Sequence, residues 1–163
     1  MECHVLASVK HKLNLSLDQK SFHLFPCITP LRMLLLRNSD PLSWAVLETF
    51  MDHCDERGAK DGQAWQIYDL LVINFVQKYL ELQFSDADIR SVIGIIRTNS
   101  VKMEQRCNLG EAVAVYPTYS FANHSCLSNT FTKKHKDGRL DLIALSDISK
   151  DDQIWTREGF KQF

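Results

Sequence analysis

Glycine, proline and long apolar stretches are all scarce in this chain. It holds six glycines and four prolines in 163 residues, and no internal repeat, low-complexity tract or flexible linker divides it. The longest apolar run, residues 33–36, is far shorter than the roughly 20 residues that cross a bilayer. Residues 1–4 lack the basic start and apolar stretch of a signal peptide. We therefore expect an intracellular protein, in the cytoplasm, the nucleus or both, without a membrane partner.

An excess of charge of one sign is also missing. The chain has 19 Lys and Arg against 20 Asp and Glu, a formal net charge of -1. Tight binding to nucleic acid through its phosphates requires a broad basic surface, so we expect no direct nucleic-acid partner. The one basic cluster, residues 133–136, is typical of a solvated hairpin end.

The cysteines are too widely spaced for a disulfide framework or a complete zinc site. They stand at positions 3, 27, 54, 107 and 126, an odd number, and no Cys-x-x-Cys pair occurs. Structural zinc sites take four ligands, which zinc modules usually carry as close pairs. We expect reduced thiols, mostly buried, and no metal ion in this chain.

What the chain does contain is, first, a series of helix signals. Thr29 and Pro30 predict a helix start, because threonine can cap and proline at the first helical position loses no needed hydrogen bond. Asp40 and Pro41 repeat this signal, and apolar residues follow at helical spacing until Gly58 predicts a stop. The apolar positions are Trp44, Leu47, Met51 and Cys54.

Two further helices are predicted. Residues 64–82 are apolar on more than one face, which is typical of a helix buried on most sides. Ser85 and Asp88 resemble a capping box. The helix that they open is expected to bury Ile89, Val92, Ile93 and Ile96. We therefore predict a helical bundle over residues 29–97.

The pattern beyond residue 99 is that of short strands. Residues 130–135 and 140–145 flank Asp137 and Gly138. Such a pair between strand-like runs predicts a hairpin whose two central residues both have positive φ. Other strand-like segments are residues 111–116 and 153–156. Helices followed by a small antiparallel β unit make an α+β fold.

An ordered set of short motifs lies within the same region. It consists of Asn99-Ser100, Gly110-Glu111-Ala112, Tyr116-Pro117, Asn123-His124-Ser125-Cys126, Asn129, Leu145-Ser146-Asp147-Ile148 and residues 151–156. This set resembles the second half of the SET domain in SET-and-MYND-domain (SMYD) protein-lysine methyltransferases. Arthropod-type members resemble it most, including at residues 27–32.

The resemblance extends over roughly residues 2–156 and implies a division of the chain. Residues 1–28 correspond to a remnant that follows a MYND-like module, and residues 29–98 to the helical insertion that splits the SET domain. Residues 99–156 correspond to the C-terminal half of the SET core, and residues 157–163 form a tail. The implied fold is a helical bundle followed by a partial SET domain.

The resemblance also implies a binding site for S-adenosylmethionine. Asn99 matches the family asparagine that contacts the amino-acid end of this cofactor. Asn123 and His124 match the pair that lines it, where the asparagine amide binds the methionine portion and backbone groups next to the histidine recognise the adenine. An asparagine amide suits a zwitterion because it donates and accepts hydrogen bonds at once.

The implied reaction is methyl transfer to a lysine amine of a protein substrate, with histones among the candidates. Positioning supplies much of the rate of such a displacement, and we assign no catalytic side chain. Tyr116 and Tyr119 are open between two roles, lining the lysine channel or packing in the core.

The sequence departs from the family pattern at four places. No glycine-rich segment of the kind that binds the cofactor from the other side precedes residue 29. No cysteine follows Cys126, whose family counterpart shares a zinc ion with three later cysteines, so zinc is not expected here. Glu158 stands where the family has a channel tyrosine, and Ser128 replaces a proline before Asn129.

These departures leave two functions open. One is S-adenosylmethionine-dependent protein-lysine methylation. The other is that of a catalytically inactive, truncated SET paralogue, which acts as a protein-interaction module through apolar faces left open to a partner. A metal-binding module built on His124 and Cys126 fails on its ligand count.

Overall fold

The computed structural model describes residues 21–56, 62–103 and 113–157. The chain divides into two compact units, Met1–Arg97 and Thr98–Phe163. Helices dominate the described part of the first unit and small sheets that of the second, so the fold is mixed α+β, as predicted. In the described ranges, no helix is long and apolar enough to cross a membrane.

The first helix of the described ranges, α1, spans Ser21–Ser39 and contains two prolines. The predicted helix start at Thr29 and Pro30 is therefore wrong, because the helix has already formed before these residues. Pro30 has no N–H to donate to the carbonyl of Pro26 one turn earlier. The hydroxyl of Tyr68 donates to that carbonyl instead, at 2.9 Å. A tertiary contact thus replaces the hydrogen bond that proline removes from the helix.

Helix α2, Pro41–Leu47, begins where the sequence predicts. The Asp40 side chain caps it, accepting hydrogen bonds from the N–H of Ser43 at 3.2 Å and from the Ser43 hydroxyl at 2.6 Å. The predicted continuation of this helix is wrong. Met51 is 67% exposed, and His53 has a φ of 52°, which lies in the left-handed region and is incompatible with a right-handed helix.

The next segment is α3, Gly62–Ile73, which continues as a π-helical turn over Asn74–Tyr79. The prediction of one helix over residues 64–82, buried on most sides, is wrong in two respects. The helix widens to π geometry, and two apolar residues of its first half are exposed to solvent, Ile67 by 70% and Leu70 by 53%. The buried apolar side chains described in this segment lie in its C-terminal part, from Val72 onward.

Helix α4, Asp86–Asn99, opens with the predicted capping box. The Ser85 hydroxyl accepts a hydrogen bond from the N–H of Asp88 at 3.1 Å. The Asp88 carboxylate accepts in return from the N–H and the hydroxyl of Ser85, at 3.2 and 2.8 Å. The predicted apolar face is confirmed as well. Its buried residues are Ile89, Val92, Ile93 and Ile96.

The core of the first unit is formed by α1, the C-terminal part of α3, the π-helical turn and α4. Its most completely buried side chains include Cys27, Leu31, Leu34, Val72, Phe75, Val76, Ile89 and Ile93. Burial of one such large apolar side chain stabilises a fold by about 1.5–3 kcal/mol. Burial also raises the pKa of the Cys27 thiol to about 12, so this cysteine stays protonated.

One residue of α4 lies against backbone. A Cβ atom at Gly94 would overlap the backbone carbonyl of Asp52, so only glycine fits there. Asp52 is fixed by hydrogen bonds from the Ser91 hydroxyl at 2.7 Å and from the N–H of Cys54 at 3.0 Å. The segment after α2 therefore packs directly on α4.

The second unit begins with two antiparallel strands, β1, Ser100–Lys102, and β2, Val113–Val115. Strand β2 lies within the predicted strand over residues 111–116. A one-turn helix, α5, Pro117–Ser120, follows and has proline at its first position, where no intrahelical N–H bond is needed.

A four-stranded sheet completes the unit. Its strands are β3, Asn123–His124; β4, Thr130–Lys134; β5, Leu140–Ala144; and β6, Trp155–Thr156. Their spatial order is β3-β6-β4-β5. β4 and β5 pair antiparallel, as predicted, but β6 is parallel to both of its neighbours, so the sheet is mixed and not antiparallel throughout. The alternation of side chains in a sequence indicates strands without fixing the direction in which they pair.

Strands β4 and β5 form the predicted hairpin. Its turn differs from the prediction, because Gly138 has a φ of 91° whereas Asp137 is not in the positive-φ region. The N–H of Gly138 donates to the carbonyl of His135 at 3.0 Å, and the N–H of His135 donates to the carbonyl of Arg139 at 2.8 Å. The turn is thus a longer one that ends in a left-handed glycine.

Candidate functional site

The motif at residues 123–126 begins in β3, at one edge of the four-stranded sheet. The N–H of Asn123 donates to the carbonyl of Ile154 at 3.3 Å, and the N–H of Ser125 to the carbonyl of Thr156 at 3.0 Å. Main-chain groups point alternately to the two sides of a strand, so those of His124 face away from β6. Among the described residues, no strand pairs with this side of β3, which is called the open edge below.

β6 lies between β3 and β4, although these two strands are consecutive in the chain. Thr156 is opposite both His124 of β3 and Thr130 of β4. The last residue of β3 and the first residue of β4 therefore lie at the same height along β6. Residues 125–129, which connect β3 to β4, need only span two strand spacings, about 10 Å. A parallel connection without this stagger takes about a dozen residues or more. Residues 125–129 thus lead from β3 past β6 to β4.

Asn129 fixes this crossing. Its Nδ2 donates to the carbonyl of Gln153 at 2.9 Å, and its Oδ1 accepts from the N–H of Trp155 at 2.8 Å. Its own carbonyl accepts from the N–H of Leu145 at 2.9 Å. Asn129 therefore connects the end of this crossing to Gln153 and Trp155 through its side chain, and to Leu145 after β5 through its carbonyl.

The side chains of Asn123, His124 and Cys126 are all exposed. The Sγ of Cys126 lies 3.9 Å from Nε2 of His124, and neighbouring Leu127 is 91% exposed. Over the described part of the chain, no cluster of three or more His, Cys, Asp and Glu side chains has the arrangement to hold a metal ion. The edge of β3 is thus a polar surface whose amide and imidazole can both donate and accept hydrogen bonds.

Asn99, the third predicted cofactor residue, is placed differently. It is the last residue of α4, directly before β1, and is 6% exposed. Asn123 and His124, by contrast, lie at the surface on β3. Of the three predicted contacts, two are therefore adjacent and accessible, and one lies in the interior.

Tyr116 and Tyr119 both use their hydroxyls inside the second unit. The Tyr116 hydroxyl donates to the carbonyl of Gly138 at 2.6 Å, and burial raises its pKa, which keeps the donor protonated. Tyr119 is 3% exposed, and its hydroxyl lies 3.3 Å from Oγ1 of Thr156. Tyr119 is thus buried in the second unit, and the hydroxyl of the half-buried Tyr116 is used within the same unit.

Sequence reasoning missed a group of buried threonines on β4 and β6. The hydroxyls of Thr132 and Thr156 lie 3.1 Å apart, and the Thr130 hydroxyl donates to the carbonyl of Trp155 at 2.7 Å. Alternation along a strand places Thr130 and Thr132 on one face. No local signal adds Thr156 to them, because its pairing is long-range.

It also missed Asp69, in the first unit. This side chain on α3 is fully buried, and its Oδ2 pairs with the guanidinium of Arg90 on α4. No hydrogen-bond partner reaches its Oδ1 within the described residues. Burial raises the pKa of Asp69, although the positive charges of Arg90 and Arg97 oppose the shift. The available signal was a carboxylate inside the apolar segment 64–82.

The second unit thus presents Asn123 and His124 together at an open strand edge. Several other residues of the sequence motifs lie outside the described ranges. They are Cys3, Gly58, Cys107, Gly110, Glu111, Ala112 and Glu158. Comparison of the chain with models of known protein families finds no match, and no curated protein matches it.

Proposed function

We propose that the second unit is the C-terminal half of a SET-type core, which binds S-adenosylmethionine for methyl transfer to a lysine amine of a protein. The helices of the first unit then correspond to the insertion that splits such a domain. One observation supports the proposal, the open strand edge at which Asn123 and His124 are both exposed. These are the groups that the resemblance assigns to the cofactor.

The residues at this edge fit the cofactor in chemical kind. The Asn123 amide can accept from an ammonium group and donate to a carboxylate, which are the two ends of the methionine portion. The main-chain N–H and C=O of His124 face away from β6 and can pair with a purine edge as another strand would. Asn99 is only 6% exposed, so the contacts proposed for the cofactor are those of Asn123 and His124 on β3.

The part played by the chain's own residues is positioning. When bound, the cofactor supplies an electrophilic methyl group on a sulfonium sulfur. The rate of transfer to an amine depends strongly on how the reacting groups are aligned. The hydrogen bonds of β3 to β6 fix the main chain at Asn123 and His124, and the two side-chain bonds of Asn129 fix the chain that follows.

A transfer assay tests this function directly. The full chain is incubated with methyl-labelled S-adenosylmethionine and a lysine-containing histone-tail peptide, and incorporation is measured by mass spectrometry. A peptide with arginine in place of each lysine is the matched control. Labelling of the lysine peptide alone is expected. Equal labelling of both peptides, or of neither, contradicts lysine methylation.

A second candidate, a protein-interaction module, is favoured by a separate observation on α3. Ile67, Leu70 and Leu71 follow helical spacing and are 70%, 53% and 37% exposed. Residues at this spacing lie on one helix face, and an exposed apolar patch is typical of a partner site. If the chain binds no cofactor while Ile67→Asp with Leu70→Asp changes its association in sedimentation velocity, this candidate replaces the first.

A further inference from the structure

The second unit contains a cavity to which neither Asn123 nor His124 contributes. Its volume is about 300 Å³, which is at the lower end of the range for small-molecule pockets. It is lined by Ser128, Thr130, Phe131, Thr132, Leu145 and Arg157. These residues come from β4, from the end of β5 and from the segments beside β6.

The polar groups of the lining fall into two kinds. The hydroxyls of Thr130 and Thr132 are already used in hydrogen bonds to Trp155 and Thr156. The Ser128 hydroxyl and the Arg157 guanidinium have no hydrogen-bond or ion-pair partner among the residues that the structure describes. A cation and a hydroxyl are therefore available to a ligand.

The apolar part of the lining is open as well. Phe131 is 55% exposed and Leu145 is 63% exposed. Contact with these two side chains removes apolar surface of a ligand from water. Because the uncommitted charge at the cavity is the positive one of Arg157, the complementary ligand is an anion with an apolar body.

We propose that this cavity binds a small organic carboxylate that carries an aromatic or branched apolar group. The carboxylate pairs with Arg157 and Ser128, and the apolar group packs against Phe131 and Leu145. A guanidinium donates two parallel hydrogen bonds to a carboxylate, which gives the interaction direction as well as charge. The site involves no reaction and stands independently of the proposed methyl transfer.

Phenylacetate is a suitable probe, and its neutral counterpart phenylacetamide is the matched control ligand. Each is titrated into the full chain, and binding is followed by protein-observed NMR. Saturable binding of phenylacetate with a dissociation constant of about 1 mM or below is expected, which corresponds to modest affinity. Phenylacetamide is expected to bind at least tenfold more weakly. Added salt is expected to weaken phenylacetate binding, because Arg157 is exposed.

Two variants locate the site. Arg157→Gln is expected to weaken phenylacetate binding about tenfold, whereas Lys150→Gln, which removes an exposed charge elsewhere in the unit, leaves it unchanged. The proposal is overturned if phenylacetate shows no saturation at about ten times that expected dissociation constant. Equal binding of phenylacetate and phenylacetamide to the unaltered chain also overturns the proposal, and this comparison does not depend on the folding of any variant. Equal binding of phenylacetate to Arg157→Gln and Lys150→Gln overturns it as well.

Discussion

Asn129 and Asp69 are polar side chains that differ in how completely their hydrogen-bonding groups are satisfied. Asn129 uses both ends of its amide on backbone groups, those of Gln153 before β6 and of Trp155 at its start. Asp69 is fully buried with one carboxylate oxygen on Arg90 and the other without a described partner. Satisfied polar groups stabilise a fold modestly, while buried unsatisfied groups cost more than a hydrogen bond returns. The two residues therefore lead to different predictions.

Replacement of Asn129 by alanine is expected to lower the free energy of unfolding by about 1–3 kcal/mol. The change removes two hydrogen bonds and leaves the carbonyl of Gln153 and the N–H of Trp155 without their side-chain partner. Urea denaturation measures the difference. Asn38→Ala, at an exposed asparagine on α1, is the control and is expected to stay within about 0.5 kcal/mol of the unaltered chain. Equal stability of the two variants would contradict the anchoring role.

Asp69 predicts a pH dependence of stability. Its pKa in the folded chain is raised above the ordinary value of 3.8, chiefly by burial, so the folded state binds more protons than the unfolded state just above that pH. This contribution to stability is present below the ordinary pKa and is lost as pH rises through the folded pKa. Asp69→Asn removes the titration, so its free energy of unfolding is expected to fall less over this range. Parallel pH profiles of the two proteins in denaturant melts would exclude the effect.

Helix caps and a hairpin, which depend on residues close in sequence, were predicted correctly, whereas no sequence pattern indicated the contacts between distant residues. The cap at Asp40, the capping box at Ser85 and the β4–β5 hairpin were all predicted, because each depends on residues close in sequence. Thr29 and Pro30 predict a helix start, but α1 continues through them, and Tyr68 donates to the carbonyl that Pro30 leaves without a partner. The parallel pairing of β6 depends equally on distant residues. Contacts between residues that are distant in the sequence cannot be predicted from a local sequence pattern.

The candidate site shows the same division between local and distant information. Asn123 and His124 were predicted from a contiguous motif, and the structure exposes them together. Asn99, which is distant in sequence, is buried. The cavity beside Arg157 was not predicted, since it exists only where β4, the end of β5 and the chain after β6 meet.

Gly94 provides the test of packing between elements. Gly94→Ala gains about 1 kcal/mol of helix propensity but places a Cβ atom against the Asp52 carbonyl. Overpacking costs about 1–3 kcal/mol, and the fixed position of Asp52 favours the larger values. A net loss of stability is therefore expected in thermal unfolding. The control is Gly62→Ala, where nothing lies within 4 Å and no loss is expected. If Gly94→Ala is as stable as Gly62→Ala, the close approach is contradicted.

At the scale of the whole molecule, the chain combines a helical unit that has its own apolar core with a second unit that carries the motif at β3. The central proposal is that the open edge at Asn123 and His124 in the second unit binds S-adenosylmethionine. The carboxylate site proposed beside Arg157 is independent of this claim, because its ligand and its variants are different.

Isothermal titration calorimetry of S-adenosylmethionine into the full chain tests this claim most directly, with Asn123→Ala and Asn38→Ala as matched variants. The expected result is saturable binding to one site, weakened about tenfold or more by Asn123→Ala, since one lost polar contact of about 1.4 kcal/mol corresponds to that factor. Asn38→Ala is expected to bind like the unaltered chain. Absence of binding at millimolar cofactor, or equal affinity of both variants, would contradict the claim.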